Sequence, residues 1–126
     1  MRIISGTFKG KRILDPKDNK TRPLKDLTKE SIFNILAHSK KIKFKIEDSN
    51  ILDLFSGVGS FGIECLSRGA KHVTFVENYD EVLPILKKNL LNCKRCDKPC
   101  SDCNADGTLL GQNHAKIWKQ LYKIQK

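Results

Sequence analysis

The sequence predicts an α/β protein in which a short N-terminal β-hairpin precedes the first half of a doubly wound parallel sheet. Two apolar segments, ILDLF at 51–55 and HVTFV at 72–76, have the length and composition of buried strands. Between them, the glycine-rich turn GVGSFG (57–62) leads into a helical pattern. A strand, a tight turn, a helix and a second strand form the repeating unit of a parallel sheet.

The chain before these strands predicts a hairpin and a first helix. Residues 2–14 alternate apolar and polar side chains around two glycines, which indicates a hairpin from which basic side chains project. Phe8 in this hairpin is expected to pack rather than to stack on a base. Thr21 is expected to cap a helix with Pro23 in its first turn, because a missing N–H costs little there. The apolar positions that recur at helical spacing are Leu24, Leu27, Ile32, Ile35 and Leu36.

Two further helices follow the strands. The helix opened by the glycine turn should end at Gly69, and Cys65 lies on it among apolar residues, as expected for a core thiol. Asp80 is expected to cap a third helix, with Pro84 near its fourth position. The chain therefore divides into a basic hairpin arm (1–20), an α/β unit (21–92) and an atypical, cysteine-rich and basic helical tail (93–126).

The glycine turn and the end of the second strand predict a site for a nucleoside-containing ligand. Glycines allow the backbone to approach a ligand closely, because no Cβ intervenes. Glu77 ends the second strand about twenty residues after the first glycine. A carboxylate at that place can accept hydrogen bonds from the two hydroxyls of a ribose.

Asp53 discriminates between two classes of cofactor. GVGSFG satisfies the glycine pattern of dinucleotide sites, but a carboxylate just before the turn would repel a pyrophosphate. The same carboxylate suits S-adenosylmethionine, which carries an ammonium and a sulfonium group and no phosphate. S-adenosylmethionine is therefore favoured, and NAD is the alternative. The predicted cofactor contacts are Asp53, Phe55, Ser56, Gly57, Gly59, Ser60, Glu77 and Asn78.

The order of several motifs resembles one protein family. RIISGTFKGKRI at the N-terminus, TRP at 21–23 and SIFNIL at 31–36 precede LDLFSGVGSFGIECLSRGA. From Arg2 to about Asn92, this arrangement resembles the bacterial 16S ribosomal RNA guanine-N2 methyltransferases, the RsmD-like family. The resemblance implies a class I methyltransferase sheet of Rossmann-like topology. It also implies methyl transfer from S-adenosylmethionine to a guanine exocyclic amine, with ribosomal RNA or the small ribosomal subunit as partner.

The resemblance does not extend to the family's Asn/Asp-Pro-Pro-Phe/Tyr motif, which follows a fourth strand and holds the target base. No two of the four prolines are adjacent, and no segment after residue 92 reads as a buried strand followed by such a motif. The expectation is a chain that carries the cofactor half of the fold and no identifiable catalytic residue. Because a parallel pair alone leaves an open edge, more chain or a partner is expected to cover it.

Positive charge flanks the predicted cofactor unit. The net charge is +10, and residues 1–50 hold thirteen Lys and Arg against six Asp and Glu, whereas residues 51–92 hold four against five. This layout is typical of nucleic-acid enzymes whose arm binds phosphates, although a generally solvated basic surface has the same composition. Arg22 could contact RNA or the carboxylate of the cofactor, and a role as an ordinary surface residue is an equal alternative. The residues predicted to bind RNA are Arg2, Lys9, Lys11, Arg12 and Arg22.

A cysteine cluster, CKRCDKPCSDC at 93–103, raises the question of a metal. Four thiolates could bind tetrahedral zinc, but a three-residue spacer is short for two C-x-x-C pairs that share one ion. Free thiols are therefore favoured, and an iron–sulfur cluster is the least favoured alternative. The candidate metal ligands are Cys93, Cys96, Cys100 and Cys103.

The sequence predicts a cytoplasmic protein without membrane contact. No apolar stretch approaches the roughly eighteen residues of a membrane span, and the N-terminus lacks the apolar run of a secretory signal. Three functions follow from the sequence in order of preference: a methyltransferase acting on ribosomal RNA, a noncatalytic RNA-binding remnant of such an enzyme, and an NAD-binding unit.

Overall fold

The computed structural model describes residues 1–20, 22, 24–93 and 107–111. The three strands of these residues form one parallel sheet in the order β1-β2-β3. This arrangement confirms the predicted α/β class and the partial doubly wound sheet. The elements are α1 (Asp26–His38), β1 (Asn50–Asp53), α2 (Ser60–Ser67), β2 (His72–Glu77), α3 (Leu83–Asn92) and β3 (Gly107–Gly111).

Strand β2 is the centre of the described sheet, and α2 packs directly against it. Val73, Phe75 and Val76 of β2 are at most 1% exposed. A Cβ on Gly62 would overlap the Phe75 ring, so a glycine is required for this close approach. Asp53 pairs with Phe75 in the register of β1 and β2, which brings the carboxyl ends of the two strands together.

Strand β1 is less buried than predicted. It lies at one edge of the described sheet, and Leu52 is 45% exposed. The apolar composition of 51–55 correctly predicted a strand. It did not predict an edge position, because composition alone does not fix the order of strands.

Strand β3 follows residue 92, where the sequence indicated no strand. It lies within the predicted tail and pairs with β2 in parallel, from Val73 opposite Gly107 to Glu77 opposite Gly111. Its sequence, GTLLG, is five residues long with glycine at both ends. So short a segment gives no period to detect, and glycine disfavours a strand.

The predicted hairpin consists of one antiparallel bridge between Arg2 and Arg12. The backbone N–H of Ile3 donates to the carbonyl of Lys11 at 3.0 Å beside this bridge. Phe8 at the turn is 5% exposed, which confirms that it packs in the core.

Helix α1 begins later than predicted and buries a different face. It starts at Asp26 with Lys25 as the N-cap, while Thr21 and Pro23 lie outside the described residues. Lys29 and Phe33 are its buried residues, whereas Leu27 is 76% exposed. Apolar periodicity missed this face because a lysine occupies its centre.

Gly69 was predicted to end α2, and Asp80 was predicted to cap the N-terminus of α3. Helix α2 ends before Gly69, which has a φ of +100°, as predicted. Asp80 does not cap α3, because Val82 is the N-cap and makes no side-chain cap bond. A turn in which the Val82 N–H donates to the Tyr79 carbonyl at 3.0 Å delays the helix. Pro84 is consequently the second residue of α3 rather than the fourth.

Candidate functional site

A cavity of about 560 Å³ lies where β1 and β2 end and α2 begins. This is the edge at which open α/β sheets bind ligands. Six of the eight predicted cofactor contacts line it, whereas Gly59 and Asn78 do not. The full lining is Lys20, Arg22, Leu24, Asp53, Phe55, Ser56, Gly57, Val58, Ser60, Phe61, Glu77 and Tyr79.

Asp53 ends β1 and points toward the start of α2. Its Oδ2 accepts a hydrogen bond from the Gly62 N–H at 3.2 Å. Burial raises the pKa of Asp53 to about 6, the Gly62 bond acts in the opposite direction, and the charge of Glu77 raises the pKa further. The site therefore holds a carboxylate that a bound cation would help to ionise.

Glu77 ends β2 and bridges two loops. Its Oε2 accepts from the Gly57 N–H at 2.8 Å, and its Oε1 accepts from the N–H groups of Asn78 and Tyr79, each at 2.9 Å. An ionised carboxylate has about four acceptor positions, so these three bonds leave about one for a ligand. A ribose that offers two hydroxyls would have to share a position with one of the backbone donors.

Gly57 and Gly59 of the turn have different structural roles. Gly57 has a φ of +53° and lines the cavity. Gly59 has a φ of +89°, and a Cβ on it would lie 2.6 Å from the Cδ1 of Leu86. The positive φ favours glycine at this position, and the nearby Leu86 side chain leaves little room for a Cβ. A ligand contact at Gly59 stays a prediction.

Several lining residues were not predicted from the sequence. Leu24 was assigned to a helix face, and Phe61 packs its ring on Phe33 with centroids 5.2 Å apart. Tyr79 follows Glu77 by two residues, and its hydroxyl bonds to Asp18 of the arm. Phe61 lies within the glycine turn but was not assigned a contact there. No local motif identifies Leu24, because the segment before α1 reaches the cavity only through the fold.

Two cationic side chains line the same cavity as the two carboxylates. Lys20 and Arg22 line the same cavity as Asp53 and Glu77. The cavity therefore presents both signs of charge, which suits a ligand that carries an ammonium and a carboxylate. Arg22 is exposed and lines the cavity, and its contact with RNA or with a cofactor carboxylate stays a prediction.

The other predicted RNA contacts lie on the arm. Arg2, Lys9, Lys11 and Arg12 are all exposed. The Lys11 ammonium donates to the Asn92 carbonyl at 3.0 Å and lies 5.0 Å from the centroid of the Phe8 ring. Exposed basic groups on one segment are available to phosphates, and their RNA contacts stay predictions.

Of the predicted metal ligands, only Cys93 belongs to the described residues; Cys96, Cys100 and Cys103 lie outside them. Burial raises the pKa of the Cys93 thiol, and Lys11 acts in the opposite direction. In the part of the chain that the structure describes, no group of three or more candidate ligands could hold a metal ion. The same residues contain no helix with the length and hydrophobicity needed to cross a membrane.

Comparison with known proteins identifies relatives over almost the whole chain. A family model described as conserved hypothetical protein 95 matches residues 1–121. The ribosomal RNA small subunit methyltransferase D of Haemophilus influenzae is 42% identical over 120 residues, which are 95% of this chain and 55% of that protein. The Escherichia coli protein of the same name is 35% identical over 105 residues, 83% of this chain and 50% of that protein. The chain thus spans about half the length of these relatives.

Solved structures show the same relationship. A candidate methyltransferase of Escherichia coli, yhhF, has a TM-score of 0.69 at 31% identity, covering 93% of this chain and 55% of that one. A candidate methylase of Haemophilus influenzae has a TM-score of 0.56 at 36% identity, covering 88% and 51% respectively. In both cases, the match covers most of this chain and about half of the solved structure.

Proposed function

Because the chain belongs to the family described as conserved hypothetical protein 95, as its resemblance to RsmD-like methyltransferases predicted, we propose that its cavity binds S-adenosylmethionine. We propose further that the chain contributes this cofactor site to methyl transfer onto small-subunit ribosomal RNA, at a guanine N2. Bound there, S-adenosylmethionine would supply an electrophilic methyl group, and the residues of this chain would bind and orient it.

The observation that carries the proposal is the distribution of charge in the cavity. The carboxylates of Asp53 and Glu77 lie at neighbouring strand ends, and Lys20 and Arg22 line the same space. An ammonium group is attracted to Asp53, and a carboxylate is attracted to Arg22. A cavity of about 560 Å³ is also within the usual size range for small-molecule sites.

The position of the Glu77 carboxylate favours a nucleoside-containing ligand over a simple amino acid. Three backbone N–H groups hold its carboxylate at the end of β2, so it is fixed before any ligand arrives. A ribose hydroxyl can donate to the position that remains. Fixed acceptors lose little conformational entropy on binding, which favours affinity.

NAD is the competing ligand for this geometry. Its pyrophosphate would lie close to Asp53, which is ionised above pH 6 and would repel it. Lys20 and Arg22 would attract the same pyrophosphate. The two ligands are therefore best separated by direct competition.

The exposed basic side chains of the arm support a role in RNA binding. If six phosphates were contacted, the logarithm of the binding constant would fall with the logarithm of salt concentration with a slope of about −4 on single strands. A generally solvated basic surface would give weaker binding and a smaller slope. Because the sequence has no adjacent prolines, a noncatalytic RNA-binding role is the second candidate function.

Calorimetric titration of the chain with S-adenosylmethionine tests the cofactor site. We expect saturable binding that a large excess of NAD does not reduce, and that Asp53→Ala weakens. Asp26→Ala, which removes an exposed carboxylate from the first turn of α1, should leave the affinity unchanged. No heat from a chain that circular dichroism shows to be folded would refute the cofactor assignment.

A methyl-transfer assay separates the two candidate functions. The chain, S-adenosylmethionine with a radiolabelled methyl group, and purified small ribosomal subunits are incubated together. Label in the RNA supports methyl transfer by this chain. RNA binding with the steep salt dependence but without label supports the noncatalytic role.

A further inference from the structure

Helix α2 connects the cavity to the basic arm (residues 1–20). Its first residue, Ser60, lines the cavity. One and two turns further on, Glu64 and Ser67 are buried and contact the backbone of the arm. A single short helix therefore lines the proposed cofactor cavity and contacts the segment proposed to bind RNA.

Glu64 is a charged, buried contact between α2 and the backbone of the arm. Its side chain is fully buried and accepts hydrogen bonds from the backbone N–H groups of Ile4 at 2.9 Å and Ser5 at 3.0 Å. It also accepts from the Nε of Arg68 at 3.0 Å. A buried carboxylate with this many partners fixes the arm in one position, because each lost bond would leave a buried polar group unsatisfied.

Lys29 of α1 joins the arm to the wall of the cavity. Its ammonium group is fully buried and lies 3.3 Å from the Oε2 of Glu64. It donates to the Arg2 carbonyl at 2.8 Å and to the Ser60 hydroxyl at 3.3 Å. The same charged group is thus bonded to the arm on one side and to a residue that lines the cavity on the other.

Gly6 permits the close approach of the arm to the far end of α2. It has a φ of +86°, and a Cβ on it would overlap the Ser67 carbonyl. Beside it, the Phe8 N–H donates to the Ser67 hydroxyl at 3.0 Å, and the Thr7 N–H donates to the Ser67 carbonyl at 2.8 Å. Gly10 has nearly the same φ, +85°, but a Cβ there would meet nothing within 4 Å.

We propose that Glu64 and Lys29 are positioning residues that make the basic arm and the cofactor cavity one cooperative unit. Occupation of the cavity then stabilises the arm in its docked position, and RNA held by the arm tightens binding in the cavity. The second effect must equal the first, because coupling between two binding sites is reciprocal. The inference rests on the proposed function, since it takes S-adenosylmethionine as the ligand of the cavity.

Hydrogen exchange of the whole chain measures this coupling. A ligand at about 100 times its dissociation constant slows exchange through cooperative opening roughly 100-fold. We expect S-adenosylmethionine to slow exchange at the N–H groups of Ile4 and Ser5 by the same factor as at Gly62, which bonds to Asp53 beside the ligand. An arm that opens independently would show no change at Ile4 and Ser5.

Gly6→Ala and Gly10→Ala form a matched pair of variants. Both place alanine at a positive φ, so they share the cost of backbone strain, but only the first displaces the arm from α2. We expect Gly6→Ala to abolish the ligand effect at Ile4 and Ser5 and to retain it at Gly62. Gly10→Ala should retain the effect at all three.

A variant of the ion pair tests Glu64 and Lys29 themselves. Lys29→Met combined with Glu64→Leu removes the two fully buried charges together. Arg68, which also pairs with Glu64, is 19% exposed and keeps access to solvent.

The Ile4 and Ser5 N–H groups lose their acceptor in this variant, so exchange is followed at the Thr7 and Phe8 N–H groups, which donate to Ser67. We expect the variant to bind S-adenosylmethionine while exchange at Thr7 and Phe8 no longer responds to the ligand. A purely structural role would change exchange in the free protein and leave the ligand-dependent factor intact, which would overturn the inference. If this variant does not fold, the comparison of Gly6→Ala with Gly10→Ala decides.

The outcomes separate the inference from the function on which it rests. If the unaltered chain does not bind S-adenosylmethionine, the proposed function fails and the coupling falls with it. If it binds the ligand but exchange at Ile4 and Ser5 does not slow, the coupling alone is overturned. As a reciprocal check, small ribosomal subunits should tighten binding of S-adenosylmethionine by the unaltered chain and not by Gly6→Ala.

Discussion

The Glu77 carboxylate and the Gly57 N–H form a 2.8 Å hydrogen bond that links the end of β2 to the turn after β1. The residue that would hold a ribose thereby also holds the glycine turn. Glu77 further accepts from Asn78 and Tyr79, so a change at this one side chain alters both the ligand contact and the shape of its surroundings.

Glu77→Ala should therefore weaken binding of S-adenosylmethionine strongly. Hydrogen bonds to charged groups contribute about 1.5–3 kcal/mol each, so we expect the dissociation constant to rise roughly 10- to 100-fold. Calorimetric titration measures the change. Asp80→Ala removes an exposed carboxylate three residues further along and should leave the affinity within a factor of two or so. Equal effects of the two variants would mean that only net charge matters.

Asp53 should make cofactor binding depend on pH. Its pKa is raised to about 6 by burial first, against the bond from Gly62 and with a further increase from Glu77. A cationic ligand binds best to the ionised carboxylate, so below pH 6 binding must also remove a proton. We expect the affinity to fall up to about tenfold per pH unit below 6 and to be nearly constant above 7.

Asp53→Asn provides the control for this pH dependence. An amide oxygen can still accept from the Gly62 N–H, but the side chain no longer titrates. The variant should bind more weakly at pH 7 and show a flat affinity between pH 5 and 7. A pH profile unchanged by this substitution would assign the dependence to another group.

The same pKa predicts how Asp53 affects stability in the free protein. The folded value, about 6, is above the ordinary value of 3.8, so the folded state binds more protons than the unfolded state between these pH values. Stability from this group is therefore complete below pH 4 and is lost as pH rises through 6, by at most about 3 kcal/mol. Urea unfolding at pH 4 and pH 7 should show a smaller loss for Asp53→Asn than for the unaltered chain.

Local patterns were enough to predict the strand ends and the two carboxylates of the cavity. Asp53 and Glu77 end apolar segments whose spacing fits a strand–helix–strand unit, and the parallel register brings them together. A sequence motif of this kind works because its parts are adjacent in the chain. The side of the cavity formed by Lys20 and Tyr79 depends on where the arm folds back, and no short-range pattern contains that information.

The buried face of α1 was predicted incorrectly because a charged residue lies at its centre. Periodicity selects apolar positions, and Lys29 was not among them although its side chain is fully buried. Its burial is possible because Glu64, thirty-five residues away in the sequence, supplies the opposite charge. A lysine at a core position becomes predictable only when its partner is known.

Tyr79 should hold the loop at 15–20 against the cavity. Its hydroxyl bonds to Asp18 and, at 3.1 Å, to Glu81, and these carboxylates raise the pKa of Tyr79 well above its ordinary value. Tyr79→Phe removes the bond to Asp18 while leaving the ring in place. We expect trypsin to cleave after Lys17 and Lys20 several-fold faster in this variant, as local opening becomes easier.

Glu81→Gln is the matched control for the tyrosine. It alters the second and longer bond of the hydroxyl but leaves Asp18 paired with Tyr79. Cleavage should stay close to that of the unaltered chain. If trypsin cleaves both variants faster to the same extent, the bond between Tyr79 and Asp18 is not what holds the loop.

Asn89 of α3 should be intolerant of a negative charge. The side chain is 1% exposed; its Oδ1 accepts from the Leu14 N–H at 2.9 Å, and its Nδ2 donates to the carbonyls of Leu14 at 3.2 Å and Val58 at 2.9 Å. Asn89→Asp keeps the first bond but places an acceptor against two carbonyls. A buried polar group without a partner costs about 1–3 kcal/mol and a charged one more, so we expect the free energy of unfolding to fall by roughly 3 kcal/mol at pH 7.

The pH dependence of this loss of stability shows whether it is caused by the charge of the introduced carboxylate or by its shape. The introduced carboxylate is destabilised by burial and by the two carbonyls, so protonation relieves it and lets its O–H donate to one of them. The loss should therefore shrink as pH falls toward 4, as measured by urea unfolding. Asn92→Asp adds the same charge at an exposed position on the same helix and should cost less than about 1 kcal/mol through the helix dipole. Equal losses for the two substitutions at pH 7 would mean that Asn89 does not hold the arm to α3 in solution.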